Sequence, residues 1–396
     1  ADPHDLSFFW ILPPLMGILV QPIIGTLSDR TWTRFGRRIP YLFIGAAVAV
    51  AVMCLLPNSG SLGLSISAVM IFGLIMLMLL DTSINMAMQP FKMLVGDMVN
   101  EKQKAKAYSI QSFLCNAGSL VGYLFPIFFT WIGIMNTAEP GVIPDSVKWS
   151  FYAGAAILIL CCLYTFATVK ELNPEEYAAF HGIGEKKQDE PKEDKGFVQL
   201  LKEAPSAFWT VGLVQFFCWA AFQYMWIHST GAIADTCWGT TDSNSLDYQT
   251  AGDWVGIVLA IQALASVIWA MLLPSIEHKM GLKGAYSLSL MIGAIGFLLV
   301  PFVHDQWLMF FPYALTGCTW AAMLALPFTL VTNALEGRPH MGTYLGLFNC
   351  AICLPQIVAG LLNVLIVALV GSQVNMLFVC CICLVAGAIS VSAINK

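Results

Sequence analysis

The sequence predicts an all-α membrane protein that crosses the bilayer many times, and three observations carry that prediction. Apolar residues fill 58% of the 396 positions and charged residues only 11%, so water cannot be the solvent for most of the surface. Eleven apolar runs are long enough to cross roughly 30 Å of hydrocarbon as helices, which takes about 20 residues at about 1.5 Å each. The two-residue alternation of a transmembrane barrel is absent.

In chain order the runs extend from Ser7 to Ser28, Pro40 to Pro57, Leu64 to Lys92, Lys106 to Ile134, Ser150 to Val169 and Ser206 to Ile233. They continue from Asp253 to Ser275, Gly284 to Val303, Trp307 to Asn333, Thr343 to Val370 and Gln373 to Ile394. Lys and Arg are retained on the cytoplasmic side far more often than they are translocated. If the first loop, with Arg30, Arg34, Arg37 and Arg38, is cytoplasmic, eighteen of the nineteen basic residues share that side and only Lys148 does not. Ala1 is then expected outside and Lys396 inside. The opening "ADPHDLSFFW" lacks an initiator Met and reads as an extracellular loop, so a first helix is expected to have been lost ahead of it.

The net charge of -5 says little about partners, because the bilayer hides most of the chain, and no nucleic-acid patch stands out. Eleven of the twelve cysteines fall in the apolar runs and read as small buried residues; the exception, Cys237, has no evident partner on its own side. No metal or cofactor site is expected.

The largest polar interruption, "KELNPEEYAAFHGIGEKKQDEPKEDKGF" from Lys170 to Phe197, carries no apolar periodicity beyond a short helix at its start. It divides the chain into a bundle over 1–169, a cytoplasmic linker over 170–205 and a six-helix bundle over 206–396. Restoring the lost helix gives six spans on each side, the arrangement of a transporter built from two related halves. Weak internal symmetry agrees: "MQPFKMLVGDM" from Met88 and "ALPFTLVTNAL" from Ala325 place Pro-Phe alike. Superposing those pairs sets Asp81 against Cys318, so symmetry of packing does not demand the acid.

Asp81 is the feature that asks for a function. It lies within "FGLIMLMLLDTSINMAMQPFKML", and Asp81, Asn85 and Gln89 share one helical face at i, i+4, i+8. An ionised Asp at a helix centre costs at least about 2.5 kcal/mol on insertion scales, so it holds a proton readily when cut off from water. No Lys or Arg lies within an apolar run to keep it charged; Gln21, Gln111 and Asn116 are the candidate neutral partners. A carboxyl so placed can take up and release a proton as water reaches it from alternate sides. A permanently protonated Asp81 that only bonds a neighbouring helix is the alternative, and Asn85 and Gln89 could equally serve as contacts between helices.

The loop "GTLSDRTWTRFGRRIP" from Gly25 to Pro40 holds Asp29 among Arg30, Arg34, Arg37 and Arg38. Topology alone could account for the arginines, but Asp29 with Arg37 or Arg38 could also form a gating latch at the cytoplasmic end. "PSIEHKMGLKG" from Pro274 repeats the order of acid then base with Glu277, Lys279 and Lys283. G-x-L-x-D-R followed by R-x-G-R-R resembles the loop signature of the major facilitator superfamily. "LVQPIIGTLSDRTWTRFGRRIP", "LLDTSINMAMQP" and "GLFNCAICLPQ" are similar to the sucrose-transporter branch of the glycoside-pentoside-hexuronide:cation symporters, along nearly the whole chain.

That resemblance implies two six-helix bundles of major facilitator type and ties the acid matching Asp81 to proton coupling. Two departures stand out. The helix from Lys106 holds no Arg in its apolar part, where plant members carry one linked to substrate binding, and ligands from a first helix cannot be assigned.

A sugar site needs aromatic faces for pyranose C–H surfaces and amides or carboxyls for the hydroxyls. "QFFCWAAFQYMWIHST" from Gln215 supplies both, with Trp219 and Gln223 near mid-membrane and His228 nearer the outer mouth. Packing would also explain Trp219, Phe222 and Trp226, and His228 reads either as a second titrating group or as a hydrogen-bonded ring near the interface. Substrate contacts are thus expected from Asn85, Gln89, Gln111, Asn116, Trp219, Gln223 and His228. Gly17, Pro22, Gly118, Gly122, Pro355 and Gly360 would let helices approach and bend.

The expected function is a plasma-membrane or bacterial inner-membrane symporter, monomeric, importing a disaccharide or glucoside with a proton by alternating access. An uncoupled facilitator and a sugar-sensing receptor are the alternatives. An enzyme is not expected, because neither a metal-ligand cluster nor a paired His and acid appears, and no G-x-x-x-x-G-K-[ST] motif binds ATP.

Overall fold

The described part of every apolar run contains helix in the computed structural model of the chain, which describes residues 11–61, 66–98, 101–136, 143–173, 175–176, 197–335 and 341–394. The helices are α1 (Leu12–Arg30), α2 (Ile39–Leu55), α3 (Ile66–Met98), α4 (Glu101–Trp131), α5 (Asp145–Thr168) and the short α6 (Phe197–Glu203). They continue as α7 (Ser206–Trp238), α8 (Leu246–Leu299), α9 (Phe310–Ala334), α10 (Met341–Phe348), α11 (Cys350–Val370) and α12 (Met376–Val391). Among the described residues there is no strand, and the bridge between Thr33 and Gly36 is a turn.

Eight of the described helical segments are long and apolar enough to cross a membrane, with shorter apolar helices at Leu12–Gln21 and Met376–Val391. The segment Leu246–Phe302 has 57 residues, far more than one crossing takes at about 1.5 Å per residue. It holds two of the predicted spans. They join at Gly281, whose φ of 74° and ψ of 166° break the helical path in a conformation that a side chain would resist. The predicted span from Thr343 is likewise divided, into α10 and α11 at Asn349.

Chain ends of the helices follow local chemistry. Pro40 sits in the first turn of α2, where its missing N–H costs no helical bond. Ser245 caps α8 by accepting from Tyr248 N at 3.1 Å, and Gly239 and Gly371 end α7 and α11 with positive φ. Past α5, Asn173 and Glu176 cap one another reciprocally at 2.8 and 3.0 Å, which starts the short helical turn expected at the head of the linker. The rest of the predicted linker, from 177 to 196, lies outside the described residues.

The chain forms two compact units, one of Met16–Leu114 and Val147–Glu203, the other of Ala1–Leu15, Cys115–Ser146 and Ala204–Lys396. In the first, α2 and α3 approach at Gly45, where a Cβ would lie 2.6 Å from Ser83 O and 2.8 Å from Ala87 N. Ser83 and Ala87 therefore face α2, and the face bearing Asp81 and Asn85 is turned toward α1. In the second, α9 lies against both arms of α8. Gly317 abuts the backbone of Gln262 and Ser266, and Gly296 abuts Pro312 O. Tyr286, Tyr313, Phe222, Phe297 and Met225 are fully buried there. Large apolar side chains such as Ile71, Leu160, Met271, Leu369 and Ile382 remain exposed along the helices, as lipid-facing surfaces require.

Candidate functional site

Asp81 lies midway along α3 and is half-buried, with its Oδ2 buried and without a hydrogen-bond partner among the described residues. Its neighbours on the same face are engaged. Asn85 accepts at Oδ1 from Gln21 Nε2 of α1 at 2.7 Å and donates from Nδ2 to the Asp81 carbonyl at 2.8 Å. Thr82 Oγ1 contacts Met16 Sδ at 3.3 Å. Gln21 thus serves Asn85, joining α1 to α3, while the Asp81 carboxyl oxygen stays available. Gln111 and Asn116 are both half-buried on α4, one in each unit. The side chain of Gln89 lies outside the described part of the structure.

The aromatic residues of α7 gather around a residue that sequence reasoning missed. Trp320 of α9 lies 5.6 Å from Trp219, 5.1 Å from Phe222 and 5.6 Å from Trp226, centroid to centroid. Phe297 of α8 closes the group at 5.8 Å from Phe222. Among the described residues Trp219 Nε1 is buried without a hydrogen-bond partner, and one turn earlier Gln215 donates to Met323 O at 2.9 Å while its Oε1 has no partner there. Trp219 and Trp226 are two turns apart and share a face, with fully buried Gln223 at its edge. His228 is nine residues beyond Trp219, about half a turn round at 3.6 residues per turn. Its Nε2 meets Asn363 Oδ1 of α11 at 2.6 Å. The structure therefore brings Trp219 and Gln223 to one face of α7 and turns His228 toward another helix.

The signal for Trp320 was its setting in "GCTWAAM", a lone large ring among small residues. Asn363 likewise stands alone as a polar group in "GLLNVLIV". Neither the aromatic group nor any other described cluster of His, Cys, Asp and Glu is arranged to hold a metal ion.

At the end predicted to be cytoplasmic, the loop after α1 turns at Gly36, with φ of 103°. The carboxylate of Glu171, just past α5, accepts from Arg37 N at 3.0 Å, Arg38 N at 2.8 Å and Ile39 N at 2.6 Å. An anion thereby satisfies the open N–H groups at the start of α2. Arg38 Nη1 donates to Ser28 Oγ, and the Arg37 guanidinium lies 5.2 Å from the Trp32 ring. The side chains of Asp29 and Arg30, named in the expected latch, lie outside the described part of the structure. In the later loop Lys283 Nζ donates to Ile394 O, past the end of α12.

Toward the opposite ends of the helices, Asn136 Nδ2 donates to Asp253 Oδ2 at the start of α8, and Ser146 Oγ donates to Asn136 Oδ1. Close by in sequence, the Tyr123 carbonyl of α4 would lie 3.3 Å from a Cβ at Gly256.

Many apolar helical crossings and, among the described residues, a buried carboxyl oxygen without a partner within a span fit the class of membrane transporters. The family model described as MFS/sugar transport protein matches residues 2–377, and the chain belongs to that family, as a transporter and not an enzyme. It is 22% identical to the sucrose transport protein SUC4 of Arabidopsis thaliana over 90% of this chain and 76% of the relative. A stretch covering 30% of this chain and 23% of the relative is 32% identical to the general alpha-glucoside permease of Schizosaccharomyces pombe. Among solved structures, a D-xylose-proton symporter matches with a TM-score of 0.68 at 16% identity, covering all of this chain and 87% of that one. A point mutant of the nucleoside transporter NupG matches with a TM-score of 0.67 at 12% identity, covering all of this chain and 92% of that one. These two establish the major facilitator fold.

Proposed function

We propose that the chain is a proton-coupled symporter that imports a disaccharide or glucoside, with Asp81 carrying the proton. The observation that carries the reading is the buried Oδ2 of Asp81, an acid within an apolar helix whose amide neighbour is already committed to α1. Unpaired buried oxygens are costly, and an intramembrane acid without a fixed cation is suited to exchange a proton when water reaches it. The membrane potential then contributes about 2.3 kcal/mol per charge per 100 mV to uphill uptake.

Substrate recognition falls to the ring surfaces of Trp219, Trp226 and Trp320, with Gln223 and the unpartnered Trp219 Nε1 turned to hydroxyl groups. Asn85, Gln89, Gln111 and Asn116 are the polar candidates on the other bundle. Sucrose and alpha-glucosides, named for the relatives in Arabidopsis and Schizosaccharomyces, are the first substrates to try. Alternating access operates between bundles 1–169 and 206–396, with the linker 170–205 and the loop bearing Asp29, Arg30, Arg37 and Arg38 on the cytoplasmic side. The protein works as a monomer in the plasma or bacterial inner membrane, with its C-terminus inside.

The test is uptake into proteoliposomes. Asp81→Asn is expected to abolish accumulation of sucrose or maltose driven by a pH gradient while leaving exchange at equal concentrations intact. Undiminished uphill uptake by that variant rules out coupling through this residue.

A further inference from the structure

We propose that Asn363 fixes the tautomer of His228, so that the ring presents the lone pair of Nδ1 to a hydroxyl group of the transported sugar at a contact separate from the Trp219 and Gln223 face. The inference deepens the sugar-transport reading and rests on it. Asn363 Oδ1 carries no hydrogen, so its 2.6 Å contact with His228 Nε2 requires that Nε2 hold the proton. Both side chains are buried, at 1% and 2% exposure, and His228 Nδ1 is buried without a hydrogen-bond partner among the described residues. A doubly protonated ring would leave an unpaired cation in this interior, whereas the neutral ring leaves only an acceptor. Nδ1 is therefore a hydrogen-bond acceptor with no donor supplied by the packing.

Simple packing gives no reason for this pair. Apolar side chains at both positions would fill the contact of α7 with α11 and leave no polar atom unmatched. What fits the spare acceptor is a ligand rich in hydroxyl donors and free of charge, which is the chemistry of a sugar. Gly231 stands three residues beyond His228, and the Gln373 side chain occupies the space that a Cβ there would fill. Asn363 is a positioning residue here: it acts on the sugar through the ring that it orients.

Isosteric replacement separates the two ring nitrogens. In His228→Asn the carboxamide oxygen occupies the place of Nδ1, and in His228→Gln the carboxamide reaches the place of Nε2. With the purified full chain and sucrose and maltose as probes, H228N is expected to bind within about threefold of the parent. H228Q and H228A are expected to bind about tenfold more weakly, and N363L to fall between. The parent chain, labelled with 15N-histidine, supplies a readout independent of any variant's folding. The His228 Nδ1 signal should be that of an unprotonated ring nitrogen and should move upfield when sucrose is added.

A protonated Nδ1, or equal losses in H228N and H228Q, overturns the proposal. So does an unmoved Nδ1 signal while sucrose binds, which would assign the acceptor to a bound water. A folded parent chain that binds neither sugar overturns the sugar reading and this inference together; sugar binding indifferent to every His228 variant overturns this inference alone.

Discussion

Glu171 and Arg38 meet through the main chain: the Glu171 carboxylate accepts from the Arg38 N–H at 2.8 Å, while the Arg38 guanidinium reaches Ser28 instead. With Arg37 N and Ile39 N also donating, the exit of α5 is pinned to the first turn of α2. Hydrogen bonds to a charged group contribute about 1.5–3 kcal/mol each when well formed, and these are only part-buried. Glu171→Ala is therefore expected to lower stability by about 2 kcal/mol, with Glu171→Gln, which keeps an acceptor, losing about half as much. Arg38→Lys leaves the backbone contact in place and should cost less than either. Thermal unfolding in detergent decides the order, and a larger loss in R38K than in E171A would place the linkage in the guanidinium.

The same contact depends on the absence of a side chain at Gly36. Its φ of 103° is unfavourable for any L-residue, and a Cβ there would lie 2.5 Å from the Glu171 carboxyl carbon. Gly36→Ala should cost about 1–3 kcal/mol in backbone strain and also displace the carboxylate. Because both changes break one contact, G36A with E171A should lose less than the separate losses added together. Strict additivity in unfolding midpoints would mean that Gly36 and Glu171 act independently.

Much of the helix plan was legible because hydrocarbon length sets a strong period: apart from the short α6, which lies in the stretch read as linker, the helices from Leu12–Arg30 to Met376–Val391 fall on the runs read from composition. The stripe of Asp81 and Asn85 was equally plain, since one helical face follows from spacing alone. Contacts across large sequence distances were not. Glu171 sits in a polar stretch that looked like pure linker, and its role depends on where α5 ends relative to α2. Trp320 and Asn363 each stand alone in an apolar helix, and only the pairing of α9 and α11 with α7 gives them partners. His228 shares the quoted aromatic segment with Trp219, yet half a turn of helix separates their surroundings.

Asn136 and Asp253 join the segment after α4 to the start of α8. Asn136→Asp replaces a donor with a second carboxylate, so like charges would face one another where an amide had bonded an acid. N136D should lower the thermal midpoint more than N136A, and adding Asp253→Asn to N136D should restore most of the loss by reversing the roles. Failure of the reversed pair to recover would show that this bond contributes little to holding the segment.

Trp320 offers the sharpest check on the aromatic group, because it touches three rings of α7 from a single position on α9. An aromatic contact adds about 0.5–1.5 kcal/mol beyond area burial, and about 1.4 kcal/mol corresponds to tenfold in affinity. Trp320→Ala is expected to weaken sucrose or maltose binding by about tenfold, and Trp320→Phe, which keeps a smaller ring face, by about threefold. Cys318→Ala, two residues earlier on α9, serves as the control and should bind normally. Titration by intrinsic tryptophan fluorescence reads all three. If W320A bound sugar like the parent, the rings would be packing alone, and the polar groups of α7 would have to account for recognition without them.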